Sequence, residues 1–480
     1  MVFSSIVFLI YFLPVFIIVY SLVPRQYKNA VILLGSILFY SWGAPKFIFV
    51  ILGTTFLDFY LVRWMDKMEK RFNRRLILYL SISMNLGLLF YFKYTGFFIE
   101  NVNAVLSTLF HVKEIGFTKL ILPLGISFYT FETITYVVDV YRKENKPLEN
   151  VWDYQLYILL FPKLIAGPIV KYHDIVDQLR DRSANDTIDD KLTGFYRFII
   201  GLSKKVLIAN QIGHQADVIL TSDFHTLNSG TAWIGILAYT FQIYFDFSGY
   251  SDMAIGLGRM MGFKFNENFD NPYISQSITE YWRRWHISLT TWFRDYVFYP
   301  LSISLNKNKG SGAIKLYINL FIVFLLSGLW HGASWNYVFW GAWHGTFLII
   351  ERSFLMRAFS SAGKLFRTLF TFFIVVIGFV FFRIEKLPEA FAFIRRLFAF
   401  DFTNASIQPD KEFYIFFYIA IFFSFFVYFK KAQQIQDAVF AFNTSISSNF
   451  VRTVLSALLL ILSVSFITAS GFNPFIYFRF

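Results

Sequence analysis

The sequence contains no cysteine, which excludes a thiol nucleophile, a thiolate metal centre, an iron–sulfur cluster and a disulfide-stapled secreted scaffold. Charge is scarce as well. Asp, Glu, Lys and Arg make up 16% of the 480 residues, against about a quarter in a soluble domain. So few polar side chains cannot cover a surface facing water, and neither disorder nor a solenoid of soluble repeats fits. What is abundant is apolar: 56% of residues are hydrophobic and 64 are Phe. Lipid must therefore solvate most of the chain. The net charge of +13 reads as the basic cytoplasmic face of a membrane protein, and no nucleic-acid partner is expected.

A bilayer core of about 30 Å takes roughly 20 apolar residues in a helix. Apolar runs between charge clusters predict spans at 4–21, 30–42, 46–62, 76–92, 121–140, 193–212, 231–248, 314–330, 336–350, 367–383, 412–429 and 451–469. The expected fold class is an all-α polytopic membrane protein, with about 11–12 transmembrane helices forming one integral-membrane domain over residues 1–480. No basic stretch precedes the first apolar run, so a cleaved signal peptide is not expected.

Lys and Arg set the orientation. With the N-terminus outside, the inside loops are 22–29, 63–75, 141–192, 249–313, 351–366 and 430–450, and they hold 28 of the 44 basic residues. Both termini are then expected on the extracytoplasmic side of a bacterial inner membrane. The outside loop 213–230 has no Lys or Arg, whereas 384–411 carries Lys386, Arg395, Arg396 and Lys411. An amphipathic interfacial helix around 390–400 accounts for the latter, because basic side chains snorkel beside an apolar face. In 154–170, Pro162, Gly167 and Pro168 break an apolar run flanked by positive charge, which predicts a re-entrant hairpin. The aromatic, glycine-punctuated stretch 249–305 reads as a cytoplasm-facing cap over an intramembrane chamber.

Of the seven histidines, three lie in the most aromatic stretches, where a polar ring is costly without a partner or a task. His331 sits in Ser327-Gly-Leu-Trp-His-Gly-Ala-Ser-Trp335, between two spans. Gly328 and Gly332 allow close helix approach, and Trp330 flanks an imidazole suited to proton transfer near neutral pH. The alternative is a structural histidine bonded between helices. His286 lies in Glu280-Tyr-Trp-Arg-Arg-Trp-His286, with Trp282, Trp285, Leu289 and Trp292 recurring at helical intervals. Arg283, Arg284 and Arg294 either mark the headgroup level or face a phosphate-bearing ligand. His344, between Gly341 and Gly345, reads as structural. Asp246, with Asp252 six residues on, either orients a histidine, satisfies a buried amide or sits in a solvated turn. Gly256, Gly258 and Gly262 lack the spacing and the strand of a dinucleotide fingerprint, and no metal site is expected.

Six landmarks, in order along the whole chain, resemble the membrane-bound O-acyltransferase family, with the alginate O-acetylation branch as the nearest pattern. They are 122–132 (LPLGISFYTFE), 161–168 (FPKLIAGP), 245–252 (FDFSGYSD), 281–286 (YWRRWH), 328–333 (GLWHGA) and the tail 473–480 (NPFIYFRF). The resemblance implies that His331 is the catalytic histidine and His286 a second characteristic polar position, within a ring of helices around a thinned centre. It also implies an acetyl donor in the cytoplasm, acetyl-CoA or an acyl-carrier thioester, with no permanently bound cofactor. The acceptor is expected to be an extracytoplasmic polysaccharide of alginate type, with peptidoglycan as the alternative. In this reading Arg283, Arg284 and Arg294 meet donor phosphates. His331 is a general base or forms an acetyl-histidine, and His286 orients the thioester or donates to the oxyanion. Trp330, Trp282 and Asp246 support them. The aromatic tail 472–480 is expected to dock on an extracytoplasmic acetyltransferase partner. From a different class, a secondary transporter also suits many spans and broken helices, but no half-to-half repeat is present.

Overall fold

The structure of the chain is a computed structural model. It describes all residues except 112, 119, 307–311, 404–406, 441–445, 470–475 and 477–480. The described residues are helical and contain no strand, as an apolar chain in lipid must be unless it closes a barrel. They divide into two compact units: residues 1–187 with 261–265, and residues 188–260 with 266–480.

The first unit contains α1 (Leu13–Leu22), α2 (Lys28–Gly43), α3 (Ile48–Lys67), α4 (Arg71–Leu89), α5 (Thr95–Val105), α6 (Ile126–Arg142), α7 (Val151–Leu159), α8 (Phe161–Leu164) and α9 (Tyr172–Arg180). Helical structure is continuous from Arg71 to Phe110. Between α3 and α4, buried Asp58 accepts hydrogen bonds from Ser81 and from Asn85, the latter at 2.7 Å. Residues 154–170, where a re-entrant hairpin is expected, form a broken helix. α7 ends where Leu160 turns the backbone (φ −48°, ψ 103°), α8 is a single turn with Pro162 in its first positions, and the chain then runs without helix to α9. Every residue from 154 to 170 is buried, so the backbone groups freed by the break need partners within the protein. Ser36 accepts the Phe161 amide at 3.1 Å, Tyr157 donates to the Val170 carbonyl at 2.8 Å, and Glu132 accepts the Val170 amide at 3.4 Å. Lys163 closes the arrangement with an ion pair to Glu132 while its ammonium lies over the Tyr157 ring.

The second unit contains α10 (Ile188–Ser203), α11 (Asn210–Leu220), α12 (Ser229–Met260), α13 (Ile278–Arg284), α14 (Ile287–Phe293), α15 (Tyr299–Asn306), α16 (Gly312–His331) and α17 (Trp335–Ile350). It continues with α18 (Met356–Ala358), α19 (Lys364–Arg383), α20 (Leu387–Leu397), α21 (Lys411–Phe425), α22 (Lys430–Phe440) and α23 (Ile446–Ala469). A π-helical turn, Lys204–Ala209, joins α10 to α11. α10 and α12 pack backbone to backbone. A Cβ on Gly201 would lie 2.5 Å from the Gly249 carbonyl oxygen, and one on Gly256 would lie 2.5 Å from that of Gly194. Packing of this kind, not a nucleotide, accounts for Gly256. α20 is the amphipathic helix expected near 390–400: Ala390, Phe393 and Leu397 are buried, while Lys386 and Arg395 point to solvent or headgroups.

Six described segments are long and apolar enough to cross a membrane: α3, Arg71–Phe110, α16, α19, Lys411–Tyr428 and Ser447–Ala469. Of the other expected spans, α6 and α17 fall short of that length, and α12 is long but too polar. A polar α12 is informative, because lipid does not tolerate its Asp246, Ser248, Ser251 and Asp252, all of which are buried in protein.

Candidate active site

The second unit gathers three histidines and four tryptophans into one aromatic cluster. His331 is the last residue of α16 and is 6% exposed. It stands there because α16 and α17 touch through their glycines. A Cβ on Gly328 would lie 2.2 Å from the Tyr337 carbonyl oxygen, and one on Gly341 would lie 2.3 Å from that of Phe324. Any larger residue would push the pair apart. The His331 ring is boxed edge-on by Trp330 and Trp340 at 5.0 Å and by Phe382 at 5.1 Å, centroid to centroid. This box surrounds the imidazole with aromatic edges and keeps it out of bulk water.

His286 lies in the loop stretch outside the long spans, between α13 and α14. Its φ of 44° is left-handed, a conformation that costs energy for a residue with a Cβ. Two features hold it. The Phe247 ring stands edge-on at 4.7 Å, and Asn268 braces the imidazole through Oδ1 at 3.1 Å from Nδ1. The orientation of the Asn268 amide is fixed from both ends: Oδ1 also accepts from the Ser288 amide and hydroxyl, and Nδ2 donates to Ser251. Asn268 is itself fixed because its carbonyl accepts the Ile287 amide at 2.9 Å, while the Asp270 amide donates to the Arg284 carbonyl. With Oδ1 as acceptor, His286 carries its proton on Nδ1 and its lone pair on Nε2. Burial lowers the pKa of this histidine to about 3, so it is neutral at physiological pH.

The His286 and His331 centroids are 6.5 Å apart, too far for a direct hydrogen bond between the rings. Trp330 lies beside both, 6.1 Å from His286. The cluster continues through Trp340 to His344 at 5.0 Å, and His344 meets Trp282 at 4.9 Å. Trp282 is thus placed against His344 and Trp340, with no ring contact to His331 among the described pairs. Buried Nε1 of Trp282, Nε1 of Trp340 and Nδ1 of His344 have no hydrogen-bond partner among the described residues. Three unsatisfied polar atoms in one apolar cluster are costly unless something else binds there.

The remaining expected residues lie apart from this cluster. Asp246 is buried on α12, where it pairs with Lys205 at 2.5 Å and accepts the Ile476 amide at 2.8 Å. It therefore orients a lysine and a backbone amide. The rest of the tail landmark, 473–480, lies outside the described residues. Arg284 is engaged by Glu280 at 3.0 Å and Asp270 at 2.9 Å, and Arg294 by Asp295 at 2.8 Å. Arg283 is exposed and has no carboxylate partner among the described residues. One group of metal-ligand type, Asp139, Glu144 and His173, occurs in the first unit, where His173 and Asp139 form a hydrogen-bonded pair.

Sequence reasoning missed Asn268, Trp340 and Lys205. Asn268 belongs to the amide-rich run 266–271, a surface turn by composition, and its tie to His286 spans 18 positions with no periodic signal. Trp340 lies one helical turn from His344 and nine residues from His331, so only the α16–α17 hairpin brings it to both.

Comparison with known proteins places the chain in a family. Residues 144–384 match the model of MBOAT, the membrane-bound O-acyltransferase family. The chain is 45% identical over 403 residues to a probable alginate O-acetylase AlgI of Pseudomonas aeruginosa, covering 83% of this chain and 75% of that protein. A probable alginate O-acetylase AlgI of Pseudomonas putida is 40% identical over 497 residues and the full length of both. A peptidoglycan O-acetyltransferase of Helicobacter pylori is 34% identical over 427 residues, 81% of this chain and 78% of its own. The chain belongs to the membrane-bound O-acyltransferase family and is a multi-pass membrane acyltransferase.

Proposed function

We propose that the protein moves an acetyl group from a cytoplasmic thioester, acetyl-CoA or an acyl-carrier thioester, to a hydroxyl of an extracytoplasmic polysaccharide of alginate type. The observation that carries this reading is His331: a buried imidazole at a helix end, boxed by aromatic rings, with a second neutral histidine one small group away. The likeness to probable alginate O-acetylases supports the acceptor class. Peptidoglycan is the second reading, favoured by the Helicobacter pylori relative.

In the proposed step the acceptor hydroxyl attacks the thioester carbonyl carbon while His331 takes the hydroxyl proton. The oxyanion collapses, the C–S bond breaks, and the imidazolium returns its proton to the leaving thiolate. The products are an O-acetyl ester and a free thiol. His286, with its Nδ1 proton held by Asn268, is the second imidazole of the site and helps to align the incoming hydroxyl. Oxyanion donation by a neutral His286 would need the other tautomer. The indole N–H of Trp340, beside His331, is the donor this reading assigns to the oxyanion. Arg283 is the arginine left to meet donor phosphates, since carboxylates already hold Arg284 and Arg294. The hydroxyl that receives acetyl first belongs either to the polymer or to an extracytoplasmic acetyltransferase partner.

The test is transfer of label from radiolabelled acetyl-CoA by the protein in lipid nanodiscs, wild type against His331→Ala. Label release that requires His331 supports the reading. Equal release by both proteins would remove His331 from the chemistry. Release by neither, with acceptor extract and with acyl-carrier thioester also supplied, would reject thioester-dependent transfer.

A further inference from the structure

A cavity of about 810 Å³ opens in the second unit among α10, α12, α21, α22 and α23. Its lining is graded along α10 and α12. At one level stand Arg197, Asp252 and Glu267, and Lys204, two turns further along, reaches back to Asp252; the ion pairs are 2.6 Å. About 9 Å further along α10, six residues at 1.5 Å each, lies Ser203, with Ser248 of α12 one turn from Asp252, while Ser251 adjoins the rim. Ser248 is 2% exposed, and its hydroxyl has no partner among the described residues. Beyond these serines the far walls are apolar, with Phe416 and Phe423 from α21 and Leu462 and Phe466 from α23. α23 buries only 11% of its apolar window, so this wall borders the bilayer.

We propose that this cavity binds one phospholipid with an amine headgroup, drawn from the cytoplasmic leaflet. The charge pattern of the loops places the ion-paired rim on the basic, inside face. A charged rim, then hydroxyls, then aromatic and aliphatic walls repeat the order of a phospholipid: headgroup, ester carbonyls, acyl chains. The Ser248 hydroxyl suits an ester carbonyl. Charge selects the headgroup. Arg197 and Lys204 face Asp252 and Glu267, Arg284 answers Asp270 from outside the lining, and Asp437 is left in excess. A rim of mixed sign with surplus acid complements a phosphate beside an ammonium and disfavours an anionic headgroup. Asn268, the brace of His286, forms part of the cavity wall, so the lipid would stand behind the active site as a packing element.

Native mass spectrometry of the protein released from nanodiscs holding equal phosphatidylethanolamine and phosphatidylglycerol tests the proposal. One retained phosphatidylethanolamine, severalfold over phosphatidylglycerol, is expected for wild type. Leu462→Trp should fill the apolar part and lose that lipid. Glu267→Gln with Asp437→Asn changes charge at nearly constant side-chain size and should bring the two lipids to parity, so this variant decides if Leu462→Trp does not fold. Equal retention of both lipids by wild type, or retention unchanged in the charge variant, would overturn the proposal. So would one-for-one displacement of lipid by acetyl-CoA, which would make the cavity a donor channel.

Discussion

Both units bury polar groups among aromatic rings, but they finish the arrangement differently. In the first, Glu132 and Lys163 are 1% and 0% exposed, and each answers the other. Tyr157, Thr135 and Ser36 take up the amides and carbonyls that the break between α7 and α9 releases. The ion pair there is closed on itself, although Tyr154 Oη and Gln155 Oε1 on α7 are buried without a partner among the described residues. In the second unit, Trp282, Trp340 and His344 keep buried nitrogens without partners among the described residues, beside two histidines set apart by the width of a small group. The difference is that the charged pair of the first unit answers itself, whereas the open nitrogens of the second stand together in one apolar cluster.

The contrast is sharpest in paired substitutions. His331→Ala should lower acetyl transfer by about 10²–10⁴-fold, the range for losing a general base, while the protein stays folded in thermal-unfolding assays. Lys163→Met should do the reverse. Stranding the Glu132 carboxylate costs about 3–5 kcal/mol, read as a lower unfolding temperature, with activity per folded molecule retained. Lys163→Met combined with Glu132→Leu should recover much of that loss, because no charge is then left unpaired. If Lys163→Met unfolds normally yet transfers no acetyl, the pair belongs to the chemistry and the comparison fails.

The sequence made much of this legible because lipid limits what a chain can do. Apolar runs, the breakers Pro162, Gly167 and Pro168, and the basic residues of 384–411 led to an all-α membrane fold, a broken helix and the amphipathic α20. His331 and His286 stood out as polar rings in aromatic, glycine-spaced settings. What was not legible is pairing across long separations. Glu132 and Lys163 lie in separate landmarks, 31 positions apart, and neither motif announces the other. The three arginines looked equivalent until Asp270, Glu280 and Asp295 took two of them. Asp246 looked equally suited to a histidine, a turn or an amide, and its partners Lys205 and Ile476 are 41 and 230 positions away. Composition reports that a group is buried; only the fold reports who answers it.

A smaller effect is expected where the brace of His286 is altered. Asn268→Ala should cut turnover by about 10–100-fold, the usual cost of losing a partner that orients a functional imidazole, and should also lower the unfolding temperature, since its buried bonds to Ser288 and Ser251 are lost. Asn268→Asp sharpens the point. In wild type, burial holds His286 neutral down to about pH 3, so its protonation should produce no acid limb in the pH–rate profile above about pH 5. A carboxylate at position 268 favours imidazolium and should bring an acid limb toward neutrality. A profile identical to wild type would show that His286 does not meet the reacting groups.

The smallest effect belongs to the first unit, where His173 on α9 donates to Asp139 at 2.9 Å while 36% exposed. That hydrogen bond raises the histidine pKa above its ordinary 6.5. A raised pKa in the folded state means that the contribution to stability is complete below the unfolded value and fades as pH climbs through the folded one. Unfolding temperature should therefore fall slightly on going from pH 6 to pH 8, and His173→Gln should flatten the slope. Solvent screening keeps this below about 1 kcal/mol. The variant should leave acetyl transfer at fixed pH untouched, since His173 belongs to the paired polarity of the first unit. A change in the pH–rate profile without a change in the stability slope would move it across the divide.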